Sequence, residues 1–78
     1  MATPKDQYRT AAFRAWLEYV GGFDRAHAIT GIAIRSLERM RSGKQPPPVR
    51  WLESIAADVD DPDLAKLLRT AAIGGTNA

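Results

Sequence analysis

Cysteine is absent from the 78-residue chain, which removes disulfide staples, thiolate metal sites and thiol catalysis together. A single histidine, His27, leaves no second imidazole to complete a metal site. Long apolar runs are missing as well. The longest, residues 26–34, covers nine positions and includes His27, Thr30 and Gly31, far short of the ~18–20 needed to cross a bilayer. Lys5 and Asp6 stand where a secretory signal would carry its apolar segment, so the expected setting is cytoplasmic, with no membrane partner. No serine has a base and an orienting acid that the sequence can place beside it, and no glycine-rich phosphate cradle occurs. The expectation is a protein that is not an enzyme and uses no cofactor.

What is present is an ordinary globular composition, 45% hydrophobic and 26% charged, which argues against wholesale disorder. The length allows one domain, residues 1–78, near the lower size at which a single core holds together. The net charge of +2 conceals a segregation along the chain. Residues 1–24 balance to zero, residues 25–50 carry +5, and residues 51–78 carry −3. The six cations of the middle segment are Arg25, Arg35, Arg39, Arg41, Lys44 and Arg50, against Glu38 alone. A basic middle and an acidic end suggest an anion-binding face with another face turned away from it.

Sustained two-residue alternation occurs nowhere, and helix formers fill the spaces between glycines and prolines. Five helices follow. The first begins near Pro4 or Lys5 and stops at Gly21-Gly22, because proline suits a first turn and glycine the left-handed cap. Phe13, Trp16, Leu17 and Val20 form its apolar stripe, with Tyr8 and Ala12 beside it and Arg9, Arg14 and Glu18 opposite. A short second helix covers about 24–29 with Asp24 as capping acid. A third covers about 33–41 and ends at Ser42-Gly43. Pro46-Pro47-Pro48 forms a stiff connection, and Pro48 starts a fourth helix whose face is Leu52, Ile55, Ala56 and Val59. Asp60 or Asp61 caps a fifth at Pro62, with Leu64, Leu67, Leu68 and Ala71 on its face. Residues 74–78 read as a frayed tail.

The third helix carries the functional reading. Ala33, Leu37 and Met40 are four and three apart, so they share a core-facing side. The same spacing places Arg35 and Arg39 together on another side, with Glu38 and Ser42 alongside and Ile34 near them. A short helix presenting two arginines and an apolar side chain fits a major groove about 12 Å wide. Arginine pairs with guanine O6 and N7, and Ile34 can touch a thymine methyl. Arg41, Ser42, Lys44 and Gln45 follow at the helix end, where backbone phosphates would pass, and Arg50 can reach a phosphate from the start of the fourth helix.

The segment FDRAHAITGIAIRSLERMRSGKQPPP resembles the helix-turn-helix of Cro and CI-type, lambda repressor-like, phage regulators and their bacterial relatives. Gly31 stands as the turn glycine, followed by the apolar Ile32. Leu37 and Met40 fall six and nine positions after it, and Ser42-Gly43-Lys44 ends the third helix before a proline-containing loop. The likeness extends over about residues 5–60, and the Gly31-to-Gly43 spacing is its most specific part. It implies an all-α, compact five-helix bundle. It also implies base contacts from Ile34, Arg35 and Arg39 and backbone contacts from Ser42, Lys44 and Gln45. Two positions depart from the family pattern. His27 stands where the family has an alanine at the helix crossing. Phe23 stands where the family often has a phosphate-contacting polar residue, so that contact falls to Arg25 or is missing.

Plainer readings stand beside these. Arg35 and Arg39 are also consistent with solvated side chains, Ile34 with a core position, and Arg41 and Lys44 with charges offsetting a helix dipole. His27 reads as a buried or half-buried packing residue, and Trp16 and Trp51 as core or interface aromatics. The run DVDDPD lacks the glycine and closing glutamate of a calcium loop and reads as helix capping. Two functional classes remain. One is a sequence-specific regulator of transcription that binds double-stranded DNA as a homodimer, represses by steric occlusion of a partly palindromic operator, and needs no small-molecule effector. Its pairing surface would be Leu64, Leu67, Leu68 and Ala71, unless these only close the monomer core. The other is a small module that inhibits or recruits a protein, anchored by Ile34, the leucine face and the tryptophans.

Overall fold

The computed structural model describes the backbone of residues 4–73 and the side chains of residues 7–73; the tail read at 74–78 lies outside them. Five α-helices and no strands are present among the described residues: α1 (Pro4–Val20), α2 (Phe23–Thr30), α3 (Ile34–Ser42), α4 (Val49–Asp58) and α5 (Pro62–Ala72). None is long and apolar enough to cross a membrane.

α1 is the central element and touches all four others. α2 and α3 pack on each other and on α1, whereas α4 and α5 pair with each other and also pack on α1. The core stripe of α1, Ala12, Phe13, Trp16 and Leu17, is buried as its spacing requires. Phe13, Trp16 and Trp51 form a triangle of rings with centroids 5.1–5.9 Å apart, the two indoles meeting edge to face. Such pairs contribute about 0.5–1.5 kcal/mol beyond their buried area, which ties the start of α4 to the middle of α1. Both tryptophans therefore belong to the core, Trp51 at its half-buried margin.

Helix ends follow local chemistry. Asp61 is the cap of α5: its Oδ1 accepts from the backbone N–H groups of Asp63 and Leu64, with Pro62 in the first turn. α2 begins one residue earlier than expected and has Gly22, not Asp24, at its cap, with no side-chain cap bond. α4 starts at Val49 with Pro48 as an extended cap. Pro47 is fully buried, and Nη1 of Arg9 lies 3.5 Å from its carbonyl oxygen. The proline loop is thus packed into the body as well as stiff.

The structure divides the leucine face of α5. Leu64, Leu68 and Ala71 are buried with Ala65 and Ala72 in the chain's own core. Leu67 lies off the edge of that stripe at helical spacing and is 42% exposed. Leu64, Leu68 and Ala71 are therefore corrected from pairing-surface candidates to core residues. A chain this small needs them to complete a core. Leu68→Ala should cost about 2–5 kcal/mol, and Leu67→Ala within about 0.5 kcal/mol. Denaturant unfolding at low protein concentration, where association contributes nothing, measures both.

Candidate nucleic-acid interface

α3 is oriented by two side chains. Leu37 and Met40 are buried against the core, and a helix held by one stripe turns the opposite stripe outward. Arg35, Glu38, Arg39, Arg41 and Ser42 are accordingly exposed, and Ile34, at the first position, is 36% exposed. Ala33, expected on the core side, is exposed as well. It is the cap of α3, with φ −59° and ψ 141°, so it lies outside the helical register that would have aimed it inward.

Two glycines bracket the helix. Gly31 ends α2 with φ 75°, and Gly43 ends α3 with φ 86°, in the left-handed region that other residues enter at a cost. Between α2 and α3 the turn is held by side chains. The Thr30 hydroxyl donates to the Ala26 carbonyl at 2.8 Å and accepts from the Ile32 amide at 3.1 Å. The Ile32 carbonyl lies 2.7 Å from His27 Nδ1. A carbonyl only accepts, so Nδ1 carries the hydrogen and His27 braces the turn. His27 is exposed, not the packing residue expected, and the close contact of α2 with the core is made by Ala26, which is fully buried. The buried position on α2 is thus Ala26, and the histidine next to it takes a separate task.

At the other end of α3, the Arg39 carbonyl accepts from the amides of Lys44 (3.1 Å) and Gln45 (3.3 Å) and from the Ser42 hydroxyl (3.0 Å). The backbone donors of Lys44 and Gln45 are therefore occupied, and either residue must reach an anion through its side chain. Ser42 gives its proton to its own helix and can serve a phosphate only by rotating the hydroxyl. Arg14 of α1 supplies a further brace: its Nε donates to the Arg41 carbonyl at 2.8 Å. Nothing in the sequence pattern marked this contact, since Arg14 falls on the polar side of α1 and its partner is a backbone atom 27 residues away.

The expected site residues fall into distinct groups. Arg35, Glu38, Arg39, Ser42 and Lys44 line one open concavity of about 320 Å³ on the outer face of α3. Ser42 also borders a second, with Gln7, Thr10, Arg14 and Gly43, so the polar surface continues onto α1. Arg41 lies apart, lining a cleft with Leu17, Glu18, Gly21, Gly22 and Phe23. Arg25 belongs to that flank, its aliphatic stem 3.4 Å from where a Cβ at Gly21 would be. Ile34, Gln45 and Arg50 line none of these three hollows. Among the described residues no ion pair engages Arg35, Glu38, Arg39, Arg41 or Lys44. The concavity therefore presents three uncommitted cations.

The chain matches no family model, no curated protein and no solved structure in the comparisons made with known proteins.

Arg14→Ala should lower global stability by about 1 kcal/mol, since the lost bond is exposed. Amide hydrogen exchange at Gly43, Lys44 and Gln45 should speed up more than exchange in α5. Uniform protection factors across the variant would show that Arg14 does not hold the end of α3.

Proposed function

We propose that this protein is a sequence-specific DNA-binding regulator, with α2 and α3 serving as a lambda repressor-like helix-turn-helix and α3 entering the major groove. The observation that carries the reading is the concavity of Arg35, Arg39 and Lys44 on the outward side of a helix whose other side is anchored in the core. Unpaired guanidinium groups on a rigid, exposed helix suit guanine O6 and N7, and a lysine at the helix end suits a phosphate. Arg41 and Arg25 lie on the flank facing the α1–α2 turn and take the role of backbone clamps. Ile34 adds an apolar contact at the start of the helix, and the exposed Gln45 and Arg50 are left to contact the backbone.

A helix of nine residues reads few base pairs, so two copies are needed to select one site. Paired helices in successive major grooves stand about 34 Å apart, which fits a homodimer on a partly palindromic operator and repression by occlusion. With most of the leucine face of α5 in the core, Leu67 is the remaining member of that set available to a pairing surface. Burial of Trp16, Leu64 and Leu68, with Trp51 half-buried, takes most of the anchors from a protein-binding module and leaves Ile34 and Leu67 to it.

Arg35→Ala and Arg39→Ala should each weaken binding to the preferred duplex by ~1–3 kcal/mol per site while leaving binding to random duplex nearly unchanged. Equal affinity of wild type and both variants for the preferred site, measured by fluorescence anisotropy, would reject these roles. Lys44→Ala should lower affinity for every sequence alike and reduce the slope of log affinity against log salt by about one. An unchanged slope in a salt titration removes Lys44 from the phosphate contacts.

A further inference from the structure

Glu38 is the one acidic side chain in a lining otherwise made by Arg35, Arg39, Ser42 and Lys44. It is exposed. Arg35 and Arg41 stand three residues to either side, the spacing at which helical side chains meet, yet among the described residues neither forms an ion pair with it. Its carboxylate is thus left available in the middle of the cationic ridge.

A carboxylate accepts hydrogen bonds and donates none. On a surface that only followed the phosphate backbone, Glu38 would oppose binding by like-charge repulsion. It becomes favourable where the duplex offers a donor. In the major groove guanine shows two acceptors, thymine an acceptor and a methyl, and adenine a donor beside the N7 acceptor. Cytosine alone presents an N4 amino donor with no acceptor next to it. Arg35 and Arg39 favour guanine, whose pairing partner is cytosine, so a run of G·C pairs satisfies both signs of charge on one face of α3.

Resting on the DNA-binding reading above, we infer that Glu38 is a specificity-determining residue that selects a cytosine beside the guanine contacted by Arg35 or Arg39. The preferred half-site is then rich in G·C. Glu38 also disfavours sequences that offer it no donor.

Selection of bound duplexes from a random pool, run in parallel with wild type, Glu38→Ala and Glu38→Gln at one salt concentration, tests this. Wild type should fix one cytosine next to a guanine, and changing that C·G pair to T·A should lower affinity about 10-fold. Glu38→Ala should bind the two duplexes equally and bind scrambled duplex more tightly than wild type does. Glu38→Gln should move the preference at that position to adenine, whose N6 and N7 match an amide. A base profile unchanged in Glu38→Ala, or a wild-type profile with no fixed cytosine, overturns the assignment while leaving DNA binding in place. Recovery of no duplex at all by wild type overturns the DNA-binding reading beneath it.

Discussion

Burial of Leu37 and Met40 is the constraint on which the rest depends. A helix of nine residues has few ways to dock, and committing two apolar side chains to the core settles which of the others face outward. The arginines are not aimed by contacts of their own, because no ion pair restrains them among the described residues. They are aimed by what lies behind them. The braces at either end, Thr30 and His27 on the α2 side and Arg14 on the α1 side, then limit how far the helix can tilt once that stripe is seated.

The helical layout was legible from punctuation and period. Gly21-Gly22, Gly31, Gly43, the three prolines and Asp61-Pro62 each end or start an element where their backbone preferences demand. The outward placement of Arg35 and Arg39 was legible for the same reason, since it follows from the spacing of Leu37 and Met40. Register at helix starts was less so. Ala33 falls at the cap of α3, outside the helical repeat, and Asp24 falls inside α2, whose cap is Gly22, so each changed role with a boundary moved by one residue.

Tertiary partnerships account for what was missed. Arg14 reaches a carbonyl that no periodicity marks, and His27 reaches another across a turn. Both partners are backbone atoms, which are chemically identical at every position and therefore leave no trace in the sequence. Leu64, Leu68 and Ala71 illustrate a different limit. An apolar helix face has the same pattern whether α1 and α4 cover it or a second copy does, and only the packing of α5 against those two helices distinguishes the cases.

The left-handed glycines on both sides of α3 have a consequence for how this chain can change. Gly31 and Gly43 mark the joints of a short replaceable insert. Within it, the outward residues carry almost no folding duty, while the two inward ones carry nearly all of it. Arg35, Glu38 and Arg39 can therefore be exchanged for other polar side chains with the scaffold beneath them left intact.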